Sequence, residues 1–248
     1  MPSDDTNRGF IRDFVSKRVS DIFVMANLSR VGSIQVSDSL LVQDGRLKEY
    51  SKLPAMDAEP LYYAVDLATE INWPKLQKIS FKKVWTWANQ NLEFLEGFTH
   101  SSTGRALSAF SRFFVQAKDD WAMQLLWSLI GIEALYVRGK VSVMEQVREK
   151  IQVLLGKPTS RKKIISEMYD FRSRFMHGDL DFPGLYHVWD ASPDYEKYTS
   201  NQLEAVAIAI AILTATLQEI IVRGWTSLDF SYAVNAGPDV DLDARRST

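Results

Sequence analysis

The chain has 248 residues, 46% of them hydrophobic, and sets 29 basic against 31 acidic side chains for a formal charge of −2. Those figures fit one large domain, or one domain with an elaborated subdomain, and argue against a protein that coats nucleic acid through a general basic surplus. With no cysteine, disulfides, thiolate nucleophiles and cysteine-ligated zinc are excluded, and a cytoplasmic setting is expected.

Met1 to Asp5 lacks the basic-then-apolar order of a secretory signal, which agrees with that setting. Phe10, Ile11, Phe14, Val15, Val19, Ile22 and Phe23 recur at helical spacing, predicting a helix from about Phe10 to Met25. Ser33 to Val36 and Leu40 to Val42 flank short polar breaks, and Asp44-Gly45 is a strong tight-turn signal, so a short, peripheral β-hairpin is predicted between about residues 33 and 50. Pro54, Pro60 and Pro74 leave residues 51 to 80 without an assignment, and Phe81 to Leu95 reads as a helix with Val84, Trp85, Ala88, Leu92 and Leu95 inward. Trp85 and Trp87 have the chemistry of base-stacking platforms, but aromatic residues at this spacing more often bury.

Beyond residue 98 the pattern becomes a regular run of helices. Ser102 or Thr103 is a candidate cap for a helix to about Ala117, and Asp119 or Asp120 for the next, to about Val137. Apolar residues nearly surround this second helix, so it is expected to be central, with Glu133 partly buried and in need of a donor from Arg148 or Arg172. Ser142-x-x-Glu145 is a capping-box signature, and Gly156 with Pro158 ends that helix near Leu155. Ser160 is expected to open the following helix, whose apolar positions are Ile164, Ile165, Met168, Phe171, Phe175 and Met176. Gly178 is placed to close it in the left-handed conformation, leaving His177 in the final turn. Asp179 to Ser200 reads as an acidic loop, and Asn201 to Val222 as the last long helix, terminated by Gly224. The apolar run from Ala205 to Leu217 spans thirteen residues, short of the roughly 20 needed to cross a bilayer, so a buried helix and no membrane role are expected. Asn235 to Thr248 reads as a mobile tail. The resulting division is an N-terminal elaboration, residues 1–98, a helical bundle, 99–226, and a tail, 227–248.

The chemistry concentrates at Arg172-Ser173-Arg174-Phe175-Met176-His177-Gly178. Arg138 to Arg174 holds ten basic against four acidic residues, a local charge of +6 that leaves −8 for the rest. Arginine grips phosphate oxygens in bidentate fashion, and histidine as a residue type exchanges protons near neutral pH. Positions five apart on a regular helix point about 140° apart, so Arg172 and His177 of one chain do not form a compact pair, whereas two copies meeting at a two-fold axis bring both types together. The basic run also reads as an ordinary solvated face, with Asp170 and Arg174 as an i,i+4 pair. A second enzymatic reading collects His177, Asp179, Asp181, His187 and Asp190 as oxygen and nitrogen donors for a divalent ion, although their spacing matches no strong ligand signature. His100 has no comparable constellation around it, and no phosphate-binding glycine loop, nucleophile elbow or His-Glu-x-x-His helix is present.

Tyr169-Asp170-Phe171 followed by Arg172-x4-His177 resembles the HEPN superfamily, specifically its Apea-like branch. Two further blocks, Ile130 to Tyr136 bearing Glu133 and Val147 to Gly156, resemble the family's preceding helices in order and spacing, so the resemblance covers roughly residues 100 to 225. It implies a mainly α fold, a HEPN-type helical bundle that dimerises through its motif helices, with the β-hairpin confined to the N-terminal elaboration. It also implies RNA cleavage without metal or other cofactor, in a toxin or anti-phage defence setting with an antitoxin or defence-system protein as partner. A non-catalytic dimeric module that binds RNA or protein is the alternative. Carried over to this sequence, the catalytic residues are Arg172 as phosphate clamp, His177 as general acid/base, Ser173 as polar positioner and Glu133 as orienter. Arg161, Lys162, Lys163 and Arg174 are the candidate RNA contacts.

Overall fold

The computed structural model describes residues 4–36, 39–42, 50–53, 55–90, 98–114, 121–139, 142–181 and 193–231. Among them the fold is mainly helical: α1 (Asp4–Ser29), α2 (Glu59–Glu70), α3 (Phe81–Gln90), α4 (Ser102–Ser111), α5 (Trp121–Tyr136), α6 (Val143–Leu155), α7 (Ile164–His177) and α8 (Pro193–Arg223). A 3-10 turn, Arg112–Phe114, follows α4. Two four-residue strands, β1 (Ser39–Val42) and β2 (Tyr50–Leu53), pair antiparallel with Leu40 opposite Lys52. The expected turn at Asp44-Gly45, the caps Asp119 and Asp120, and the tail from Asn235 all lie outside the described residues.

α8 is the axis of the bundle and touches each of the seven other helices among the described residues. Its residues Ala205 to Gln218 are buried without interruption, and a helix that is apolar all round is stable only when neighbours cover every side. Small alanines alternate with Ile208, Ile210, Ile212 and Leu213, so helices approach closely on several faces. By composition α8 is long enough to cross a bilayer, but 89% of its most apolar 18-residue window is buried inside the protein. The expectation that α5 would be central is therefore corrected. α5 leaves Ile130 exposed and packs against α8, with Leu125, Leu129 and Ile132 buried in the shared apolar cluster. Gly131 makes that approach possible: a Cβ there would sit 2.6 Å from Leu213 Cδ2.

The N-terminal segments share this core. Leu61 and Ala64 of α2, Val84 and Ala88 of α3 and Phe23, Val24, Met25 and Leu28 of α1 join one apolar cluster with α5 to α8. Gln218, fully buried on α8, fastens them: its Nε2 donates to Leu28 O at 2.9 Å and to Gln77 O at 2.8 Å, and its Oε1 accepts from Gln77 N at 2.7 Å. Three satisfied bonds are what allow a carboxamide into such an interior. At the other end of α5, Tyr136 Oη and Thr216 Oγ1 lie 2.7 Å apart.

Several expected boundaries shift for local reasons. Pro60 lies in the first turn of α2, where its missing N–H is no loss, so the proline-rich region does contain a helix. Ser101, rather than Ser102 or Thr103, caps α4 through Gly104 N at 2.9 Å. Ser142 takes a left-handed conformation, φ 52°, and makes no side-chain cap, so the capping box does not form. Ser160 does not open α7: its Oγ donates to Ile71 O at 2.9 Å, and the helix begins at Ile164. α8 begins at Pro193 rather than Asn201, so the last eight residues of the expected loop are helical. α3 is described to Gln90, short of the expected Leu95; residues 91–97 lie outside the description.

Candidate functional site

α7 buries Ile164, Ile165, Met168, Tyr169 and Phe171 and ends on Gly178 with φ 74° and ψ 22°. Gly178 N donates to Phe175 O at 3.3 Å and Asp179 N to Arg174 O at 2.8 Å, the paired bonds of a glycine-terminated helix. Leu180 then folds back onto the core. This stop fixes His177 in the last turn with its side chain in solvent.

One face of α7 opens on a cleft of 560 Å³ bounded by Glu133 from α5, Val143 and Met144 from α6, and Ser166, Tyr169, Asp170, Arg172 and Ser173. Tyr169 is buried and its Oη donates to Glu133 Oε1 over a long 3.5 Å. Burial, reinforced by the Glu133 charge, holds the Tyr169 hydroxyl well above its ordinary pKa, while Arg172 acts in the opposite sense. The half-buried Arg172 has no ion pair among the described residues, and its buried Nε has no hydrogen-bond partner there. The expected Glu133 pair with Arg148 or Arg172 is thus not made among the described residues. Arg148 does not line the cleft, and Tyr169 supplies the donor instead.

The structure brings Glu133, Arg172 and Ser173 together, whereas His177 is not among the cleft's lining residues. Four residues after Ser173, it stands one turn further along the same helix face. Ser166, Asp170, Ser173 and His177 form a polar stripe at i, i+4, i+7 and i+11, with Arg172 on its flank. Tyr169, Ser166 and Met144 were not singled out as site residues. The recurrence of Ser166, Tyr169 and Ser173 at three to four residues was the available signal for two of them.

The candidate RNA contacts are divided. Arg161, Lys163 and Arg174 line a second cleft of 470 Å³ between α7 and α8, floored by Met168, Phe171 and Ile208, while Lys162 is exposed and lines neither. Arg161 is bound to Glu167 at 3.0 Å and also to Glu204, hydrogen bonds that strengthen its hold on its proton. Its charge is therefore largely spent inside the protein. Asp170 and Arg174 make no ion pair among the described residues. Among those residues no group of three potential metal-ligating side chains occurs; His187 and Asp190 lie outside them. Trp87 is buried and donates from Nε1 to Trp225 O at 2.7 Å, which fixes it as packing rather than a stacking platform. Compared with protein-family models, curated proteins and solved structures, the chain matches none.

Proposed function

We propose that this chain is a HEPN-type, metal-independent endoribonuclease that cuts RNA at a site assembled from two copies. The observation that carries the reading is Arg172: a guanidinium whose Nε has no partner among the described residues, in a solvent-open cleft beside Ser173, with His177 further along the same helix. A buried donor without an acceptor costs stability, on the order of 1–3 kcal/mol, and is retained where a ligand oxygen completes it. RNA carries its own nucleophile. His177 takes the proton of a 2'-hydroxyl, the 2'-oxygen bonds to phosphorus, and Arg172 neutralises the developing phosphorane charge. The phosphorus–5'-oxygen bond breaks, and the leaving oxygen takes up the proton that His177 accepted. The products are a 2',3'-cyclic phosphate and a 5'-hydroxyl. Ser173 positions the phosphate, and Glu133, held by Tyr169 in the same cleft, orients the guanidinium through its field rather than a direct bond.

Incubating His177→Ala with a mixed RNA pool in EDTA tests the reading: loss of wild-type cleavage is expected, and undiminished EDTA-resistant cleavage by the purified variant overturns it. The rival is a non-catalytic dimeric module that binds RNA or protein in a cytoplasmic toxin or anti-phage system. It draws on the exposed Met176 of α7 and Ile130 of α5, apolar side chains suited to association. That reading predicts RNA or partner capture without cleavage, and no growth arrest on expression that depends on Arg172 or His177.

A further inference from the structure

Residues 71–92 contain four lysines, Lys75, Lys78, Lys82 and Lys83, and no acidic side chain. Lys82 and Lys83 lie on α3 and Lys75 and Lys78 in the segment leading into it; α3 buries Val84, Trp87 and Ala88 and turns Lys82, Thr86 and Asn89 to solvent. Along one border of this outward face, Phe81 and Trp85 stack with ring centroids 5.8 Å apart and planes 21° from parallel. Phe81 nevertheless remains 41% exposed. Lys83 has a structural task, since its Nζ donates to Val222 O at 2.8 Å and ties down the end of α8. Lys75, Lys78 and Lys82 are exposed and make no ion pair among the described residues. The neighbouring carboxylate on α8, Glu219, is held by Arg223 at 2.9 Å.

A surplus of positive charge beside a flat exposed ring matches the two demands of a single strand, cations for its phosphates and a π face for an unstacked base. A duplex cannot use the ring, because its bases are already stacked. A membrane surface fits less well: around the one exposed ring the outward neighbours are Lys82, Thr86 and Asn89, whereas interfacial helices present a broad apolar face. The surface lies apart from the Arg172 region. Arg174 shares a cleft with Asn201 near one end of α8, and Lys83 binds Val222 near the other, roughly 30 Å away at 1.5 Å per residue.

We propose that the outward face of α3, with the Phe81–Trp85 stack, Lys82 and the adjoining Lys78, is a docking surface for single-stranded nucleic acid. It operates whether or not Arg172 and His177 cut. The test measures fluorescence anisotropy of a labelled twelve-nucleotide uridine strand, its deoxythymidine counterpart and a duplex of equal length, in EDTA. The host is the full chain carrying Arg172→Ala and His177→Ala, so that the strand stays intact. Expected is single-strand binding that falls about tenfold with Lys78→Glu plus Lys82→Glu, the salt slope shrinking by about 1.4 for two phosphates, and at least about fivefold with Phe81→Ala. The duplex binds more weakly, and circular dichroism is unchanged in each variant. RNA and DNA strands binding alike support the proposal, as does tighter binding of RNA. Unchanged affinity in the three surface substitutions overturns it. So does binding that the Arg172 and His177 substitutions alone abolish, or Phe81-dependent capture of phosphatidylserine vesicles by a chain that ignores the strand.

Discussion

Two cations stand within one turn of each other's anchoring positions on α5, and the protein treats them in opposite ways. Lys150, beside Tyr136, is 4% exposed, and its Nζ donates to Tyr136 O at 2.6 Å and Gln146 Oε1 at 3.0 Å under the face of Phe230. Arg172, facing the cleft beside Glu133, keeps a buried Nε with no partner among the described residues. A saturated cation ties elements together: Lys150 fastens α6 to the carbonyl end of α5. An unsaturated one retains bonding capacity for something that arrives from outside.

Replacing each cation separates these roles, and the largest effect is expected in catalysis. Arg172→Ala should lower RNA cleavage by about 10²–10³-fold while shifting the thermal midpoint by less than about 3 °C, since its Nε bonds to none of the described residues. Parallel loss of activity and stability would make Arg172 a structural residue. Lys150→Met reverses the pattern: leaving the Tyr136 carbonyl without its donor should cost about 2 kcal/mol, lowering the midpoint by about 4–8 °C, with cleavage per folded molecule unchanged. Gly131→Ala probes the helix that carries both anchors. The clash with Leu213 should cost about 1–3 kcal/mol, and cleavage should fall with it through displaced Glu133; calorimetry and a turnover assay on one preparation check both.

The smallest effects concern pH. Burial holds the hydroxyls of Tyr136 and Tyr169 above the usual value of 10.0, so their contribution is complete below about pH 10 and declines as pH rises beyond it. Burial, aided by the Arg138 charge, instead depresses Lys150 below its usual 10.5. The unfolded chain then binds the extra proton, and stability rises with pH through the window beneath 10.5. Urea titrations from pH 8 to 11 should show Tyr169→Phe flattening the alkaline decline and Lys150→Met steepening it. Tyr169→Phe costs only about 0.5–1 kcal/mol at neutral pH, because its bond to Glu133 is long.

Much of the helical order was legible because apolar residues and glycines agreed: α7 and its Gly178 stop follow from spacing and one residue's conformational freedom. The errors arose where a residue type is ambiguous without tertiary context. Pro60 reads as a breaker yet sits where a first turn tolerates it, and Pro193-Asp194-Tyr195-Glu196 reads as loop although proline and acids suit a helix start. Ser142 and Ser160 carry cap chemistry, but the chain path turns one left-handed and directs the other to Ile71. Apolar content alone made α5 look central; only packing reveals that α8 is touched from every side. In the site, the apolar surroundings of Glu133 make its need for a donor legible, but partner choice depends on side-chain reach, and Tyr169 Oη lies 3.5 Å away.

The central claim is a site shared by two chains, and mixing inactive protomers tests it directly. Arg172→Ala and His177→Ala chains, each unable to cut, are combined, allowed to exchange and supplied with RNA in EDTA. If Arg172 of one copy works with His177 of the other, the mixed dimer contains one intact pair, and cleavage with 2',3'-cyclic phosphate ends returns. Two fully folded, exchanging populations that remain inactive together would contradict the shared site.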